Sequence, residues 1–313
     1  MNTLEECPIC ESAGIKRAYT GRTTRNASDQ KRWDVWRCEA CVHEFLNPQP
    51  SWAELASYYS SDYPAHGTSH ALDAEVAEAA EEARRVGEYR HVQIRPGMKL
   101  LDVGCGGGSF LRVARELGAE VAGVEPSDAG VNASRACGLD VFHGTLDDYV
   151  EDHEGAASFD LITANHVIEH APDPVRTLSQ AGRLLSAGGV IWIAVPNSEC
   201  TAARALGWRW HSADLPIHLM HFSRSSIEAA IRRAGLQIRR IESYSLPRGV
   251  RGSLAQILRH KLMMPGRIAH WLSSRGFAHR YAERVGQRWD RTCDGEALLV
   301  QIQRPGPDQV GTA

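Results

Sequence analysis

The 313-residue chain has only eight cysteines and 7% aromatic side chains. Cysteine that sparse does not staple a chain of this size together. No apolar run approaches the roughly 18–20 residues that span a bilayer. The opening MNTLEECPIC has neither the basic start nor the apolar stretch of a secretory signal, so a cytoplasmic protein is expected. Disorder, collagen-like repeats and coiled coils are excluded by an ordinary composition, 43% hydrophobic and 23% charged. The length suits about two domains with a sizeable core.

Charge is unevenly spread around a net value of −3. Between Leu246 and Arg291 ten Lys/Arg face only Glu283 and Asp290, whereas Asp73 to Glu82 holds five acids. The acidic remainder argues against general nucleic-acid binding. The basic stretch has three readings: a solvated face or homodimer contact, a surface for an acidic partner, or a contact with anionic lipid. The acidic partner would be a phosphorylated or nucleotide-linked sugar or a carrier protein.

Residues 1–50 carry Cys7-x2-Cys10 and Cys38-x2-Cys41. Thiolate pairs two residues apart suit tetrahedral zinc, and four of them close the site, so a structural zinc ribbon is expected. A nucleic-acid role for this ribbon competes, because Lys16, Arg17, Arg22, Arg25, Lys31 and Arg32 make its loop basic. Residues 51–95 read as a helical connector, with Trp52, Leu55 and Tyr59 at helical spacing, and Arg95-Pro96-Gly97 ends it.

From residue 96 to 313 apolar strands alternate with amphipathic helices. KLLDVG, EVAGVEP, LDVFHG, FDLITAN, VIWIAVPN, LQIRRIESY and ALLVQIQRP read as strands. SFLRVARELG, SDAGVNASRACG, PVRTLSQAGRLLSAGG and SRSSIEAAIRRAG read as helices, the last with a capping box from Ser225 to Glu228. This predicts an α/β fold, a doubly wound, Rossmann-like parallel sheet of seven strands with helices on both faces. A basic helical insertion over 246–295 interrupts it, with apolar stripes at Leu254, Ile257, Leu258, Lys261 and Leu262 and at Phe277, Tyr281, Val285 and Trp289.

At the first strand-to-helix junction stands Asp102-Val103-Gly104-Cys105-Gly106-Gly107-Gly108. Glycines there let the backbone turn sharply and approach a ligand at a helix N-terminus. Glu125 ends the next strand, where a carboxylate can accept two ribose hydroxyls. A dinucleotide fingerprint fails, because its last glycine falls on Ser109. Residues 97–245 resemble a class I methyltransferase dependent on S-adenosylmethionine (SAM), in a subgroup that carries a zinc ribbon. The resemblance implies SAM binding by Asp102, Gly104, Gly106, Gly108 and Glu125. It implies adenine contacts at Thr145 and Leu146, and places Asn165 beside the methyl donor. It also makes Tyr59 and Tyr63 candidates for a lid.

His166-Val167-Ile168-Glu169-His170 has a second reading, since His-x-x-Glu-His on a helix is an inverted zinc-peptidase signature. Some members of the methyltransferase family instead place Glu-x-x-Glu-His here and hold a divalent metal. In this chain His166 replaces the first acid. A second cluster, Pro216-Ile217-His218-Leu219-Met220-His221, resembles a segment with a catalytic histidine in related sugar methyltransferases. His218 is the first candidate base, followed by His166 and His170, with His211 and His221 nearby; imidazole suits proton removal near neutral pH. The expected reaction is methyl transfer to oxygen or nitrogen of a sugar or natural-product intermediate. An RNA methyltransferase, a zinc peptidase and a non-catalytic SAM-binding scaffold are the alternatives.

Overall fold

The computed structural model describes residues 2–24, 28–55, 58, 73–153, 158–245, 247–261, 263, 268, 276–292 and 294–306. Tyr59, Tyr63, Arg25 and Leu262 lie outside these, as do parts of the 246–295 insertion.

The N-terminal unit is built from β1 (Ile15–Gly21), β2 (Trp33–Cys38) and β3 (Glu44–Leu46), joined antiparallel. Its fourth strand, β9 (Met220–His221), comes from far along the chain and pairs with β3, Phe45 opposite Met220 and Glu44 opposite His221. One apolar cluster runs from Cys7, Ile9, Val35 and Phe45 into Met220, Phe222 and Ile227, and on to Ile162 and Ile191. The unit therefore shares its core with the rest of the protein.

Short helices α1 (Trp52–Leu55) and α2 (Asp73–Val86) follow. Leu55 is buried but Trp52 is 58% exposed, so only part of the expected stripe packs inward. The alternation then begins with β4 (Lys99–Val103), α3 (Ser109–Glu116), β5 (Glu120–Glu125), α4 (Asp128–Ala136) and β6 (Val141–His143). It continues through α5 (Leu146–Asp152), β7 (Phe159–Asn165), α6 (Pro174–Arg183) and β8 (Leu185–Pro196). After α7 (Thr201–Leu206) come α8 (Arg224–Arg233) and β10 (Gln237–Tyr244). The insertion supplies α9 (Pro247–Lys261) and α10 (Gly276–Arg291), and β11 (Ala297–Gln303) closes the sheet.

The seven strands lie in the order β10-β11-β8-β7-β4-β5-β6. Successive side chains of a strand face opposite sides. Leu101, Ile162, Ile191 and Ile193 accordingly join one buried cluster, while Leu100, Leu161, Trp192 and Ala194 join the other. Fully burying each such aliphatic side chain contributes about 1.5–3 kcal/mol.

Four local expectations need correction. The sheet is not wholly parallel: β11 runs antiparallel to both β8 and β10, because the insertion returns the chain along the strand it left. Helix α6 stops at Arg183 rather than running to Gly189, and Leu185, 3% exposed and paired with Phe159, already belongs to β8. The capping box of α8 is Ser223 with Ser226, not Ser225 with Glu228. Glu228 instead pairs with Arg224 at 3.0 Å, one turn apart. In α10 the inward face centres on Ala282 and Gly286, which abuts Ser245 and Val250, and Tyr281 points to solvent at 59% exposure.

Candidate active site

The loop after β4 is shaped by positive φ angles at Gly104 (68°), Gly106 (54°) and Gly108 (79°). A Cβ at Gly104 would sit 2.6 Å from Val167 Cγ2, and one at Gly108 2.2 Å from Leu139 Cδ1. Glycine is required there by backbone conformation and by space. The Gly106 amide donates to Glu125 Oε2 at 2.9 Å, and the Ser127 amide donates to Glu125 Oε1 at 2.9 Å. Glu125 is thereby fixed at the end of β5, 6% exposed, beside the mouth of the loop.

Asp102 lies on β4 at 5% exposure and accepts a 2.6 Å hydrogen bond from Thr163 Oγ1 on the neighbouring β7. Burial pushes its carboxyl up to about 7, against the opposing hydrogen bond from Thr163 and the charge of Arg90. Thr145 caps α5 and exchanges hydrogen bonds with Asp148, so its hydroxyl is already engaged. Leu146 follows at the first helical position, where a backbone N–H has no partner within the helix. Asn165 ends β7 with its Oδ1 buried and without a hydrogen-bond partner.

The histidines separate into distinct roles. His166 follows Asn165 with φ 56°, uncommon for a residue with a Cβ. Its Nδ1 lies 3.1 Å from Glu169 Oε1, and its side chain is 58% exposed. Desolvation lowers its pKa, but the hydrogen bond and charge of Glu169 outweigh this and hold it above the ordinary value. His170 sits in a short 3-10 turn, Ile168–His170, with Nδ1 3.0 Å from the Ile217 carbonyl. His218 is 7% exposed and edges against the His170 ring, centroids 4.8 Å apart.

His218 Nδ1 lies 2.8 Å from the Ser212 carbonyl, which can only accept. The proton therefore resides on Nδ1, an assignment from the network, and Nε2 carries the lone pair. Nε2 faces Asp214 Oδ2 at 3.9 Å and Glu169 Oε1 at 4.0 Å. Burial first, then the neighbouring His170 and His221, hold its pKa well below the ordinary histidine value. Glu169 is fully buried, and its Oε2 has no hydrogen-bond partner. Ligand atoms of Glu169, His170 and His218 lie within 4.8 Å of one another.

The four thiols of Cys7, Cys10, Cys38 and Cys41 also converge within 4.8 Å. Sγ separations of 3.6 Å for Cys7–Cys41 and 3.5 Å for Cys10–Cys38 are too long for disulfides. They are close to the roughly 3.8 Å that separates sulfurs on tetrahedral zinc. The Ile9 amide donates to Cys7 Sγ at 3.4 Å, and Cys7 and Cys38 are fully buried. The donor set fits zinc.

A family model described as "Methyltransferase domain" matches residues 65–241, more than half of the chain. This chain is a member of the class I SAM-dependent methyltransferases. The methyltransferase is 32% identical over 164 residues to the ubiquinone biosynthesis O-methyltransferase of Xanthomonas axonopodis pv. citri, covering 48% of this chain and 68% of that protein. It is 30% identical over 155 residues to the protein of the same name from Maricaulis maris, covering 46% of this chain and 60% of that relative's length. A solved SAM-dependent methyltransferase from Mesorhizobium loti aligns with 73% of this chain and 100% of that one, at a TM-score of 0.47 and 19% identity.

The peptidase reading of the methyltransferase fails on local structure, since it needs His166 and His170 on one face of an α-helix. His166 instead lies in the turn after β7 in a left-handed conformation, and His170 lies in a 3-10 turn. His221, buried, donates from Nε2 to the Ala213 carbonyl at 2.9 Å. His211 starts a short 3-10 turn, exposed, and is not among the groups whose ligand atoms converge with Glu169. Three of the basic ribbon residues pair with acids, Lys16 with Glu39, Arg17 with Asp34 and Lys31 with Glu54 of α1. Sequence reasoning passed over Asp214, Ser127 and Thr163. The four-residue interval from Asp214 to His218 is the only signal that pointed to the first of them.

Proposed function

We propose that the protein transfers the methyl group of SAM to a hydroxyl oxygen of a small molecule, with His218 as the base. The observation that carries this reading is His218 itself: buried, neutral, its Nε2 lone pair turned toward Glu169 and Asp214. The names of the relatives support oxygen over nitrogen as the acceptor atom.

SAM supplies an electrophilic methyl on a sulfonium, so much of the rate comes from holding donor and acceptor in line. The left-handed glycine turn at Gly104, Gly106 and Gly108, which brings bare backbone to the end of β4, and the unpartnered Asn165 Oδ1 at the end of β7 fit a ligand lying along these strand ends. Asp102 is set to face the ammonium of the methionine portion, and Glu125 to accept the ribose hydroxyls. Leu146 offers its helix-terminal N–H to adenine, a contact the engaged Thr145 hydroxyl does not make. His218 Nε2 then takes the acceptor's hydroxyl proton as the oxygen–methyl bond forms and the sulfur–methyl bond breaks, leaving S-adenosylhomocysteine, and Ser212 holds the ring in the tautomer this requires.

Glu169, His170 and His218 also fit a divalent cation, because the orphaned Glu169 Oε2 and the His218 lone pair converge there; with Nε2 bound to a cation, His218 would be a ligand in place of the base. Such a cation would supply Lewis acidity to the acceptor oxygen, and two imidazoles with one carboxylate favour a transition metal over magnesium. Zinc at Cys7, Cys10, Cys38 and Cys41 would be structural, with no open position. With a small soluble acceptor the proposal needs neither nucleic acid nor membrane.

The test incubates the zinc-loaded protein with SAM and separate panels of phenols, sugars and amines, and measures S-adenosylhomocysteine formed. The expected result is O-methylation, with His218→Ala slowing it by about 10²–10⁴-fold while S-adenosylhomocysteine still binds. Turnover of amines alone, or an unchanged rate in His218→Ala, would contradict it.

A further inference from the structure

The four-cysteine unit and the acceptor side of the site are joined by a continuous ladder of backbone hydrogen bonds. Cys38 and Cys41 bound the turn between β2 and β3, closed by the Cys38 amide donating to the His43 carbonyl at 2.9 Å. On its other edge β3 meets β9, and the Leu46 amide donates to the Leu219 carbonyl at 2.9 Å. The Leu219 amide in turn donates to the Glu169 carbonyl at 2.9 Å, and Leu219 is the residue after His218. Two steps of backbone therefore separate the ribbon hairpin from the groups proposed to act on the acceptor.

Side chains brace the same path. His43 is fully buried between Phe45 and Phe222, with Nδ1 3.3 Å from Ser226 Oγ and Nε2 3.4 Å from Met220 Sδ. At the other knuckle Arg233 of α8 donates to the Ile9 carbonyl at 2.5 Å and pairs with Glu11. The glycine loop is held differently. Its bonds run to Val124, Glu125 and its own turn, and no hydrogen bond from the N-terminal unit reaches it among the described residues.

We infer that metal occupancy at Cys7, Cys10, Cys38 and Cys41 positions Glu169 and His218 through the β3–β9 ladder, while the SAM-binding loop is held by hydrogen bonds of its own. The N-terminal unit is thus a positioning element for the acceptor half of the reaction, beyond stabilising the fold. The inference rests on the acceptor reading proposed above. It predicts that losing the ribbon metal uncouples the two halves of the site: the donor half persists and the acceptor half loosens.

The test compares the full-length zinc-loaded protein with Cys38→Ser by two readouts, calorimetric titration with S-adenosylhomocysteine and amide hydrogen exchange. The expected result is affinity within about threefold of the parent, with exchange at Leu46 and Leu219 at least about tenfold faster and the Gly104–Gly108 segment unchanged. Should Cys38→Ser not fold, wild-type protein partly stripped by a chelator is exchanged instead, and the two segments are compared at matched zinc content. Uniform acceleration in both segments, or none in the ladder, overturns the inference. Failure of the zinc-loaded parent to bind S-adenosylhomocysteine would instead overturn the methyl-transfer reading, so the two failures are distinguishable.

Discussion

Gly108→Ala separates the two demands made on the loop, conformation and space. Gly108 has φ 79°, and Gly188 in β8 has the same φ of 79° but nothing within 4 Å of the place an added Cβ would take. A left-handed conformation costs a residue with a Cβ about 1–2 kcal/mol, and both alanines incur that. At Gly108 the new carbon would also lie 2.2 Å from Leu139 Cδ1 and 3.2 Å from Ser134 Cβ, both on buried residues. Overpacking of that kind adds about 1–3 kcal/mol. Urea unfolding should therefore show Gly108→Ala losing about 2–5 kcal/mol and Gly188→Ala only about 1–2. Because Gly108 is the N-cap of α3, its shift also moves the loop, and affinity for S-adenosylhomocysteine should fall by about tenfold or more, about 1.4 kcal/mol. Equal destabilisation by the two alanines, or unchanged ligand affinity in Gly108→Ala, would refute the steric reasoning.

Affinity for S-adenosylhomocysteine should rise between pH 6 and 8. Asp102 titrates near 7, and the ligand's ammonium favours its ionised form, so binding releases a proton. Thr163→Val removes a hydrogen bond that favours the carboxylate and should move the midpoint upward, whereas Asp102→Asn should flatten the profile, both read by calorimetry. His43 is buried neutral, with its pKa lowered to about 3 by burial first and then by His221. A histidine depressed in the fold contributes stability that is present above about 6.5 and lost as pH falls toward 3, at about 1.4 kcal/mol per pH unit. Chemical unfolding at a series of pH values should show His43→Phe with a shallower acid slope; an unchanged slope would show that His43 does not set it.

Much of the sheet was legible because buried parallel strands are short apolar runs punctuated by glycine, as at Leu100–Val103 and Val190–Val195. The glycine loop was legible for the same reason that it is restrictive. What escaped depended on tertiary contacts. Two residues, Met220 and His221, are too few to show a period, so β9 and its pairing with the ribbon left no pattern. Ser223 and Ser225 are both good caps, and which one starts α8 is decided by Ser226 completing the capping box. Tyr281 faces out because Ala282 and Gly286 let α10 approach α9 closely, a choice of face that spacing alone does not make. At the site, His218 could be picked out by residue type. Its tautomer follows from the Ser212 carbonyl and its neutral state from burial beside His170 and His221, which only the fold brings together.

The most direct test of SAM binding at the glycine loop is calorimetric titration of the zinc-loaded protein with S-adenosylhomocysteine, beside Asp102→Ala and Glu125→Ala. The predicted result is binding in the micromolar range, about −8 kcal/mol, that is lost or weakened by at least tenfold in both variants. No binding by the zinc-loaded parent, or equal binding by all three proteins, would contradict it.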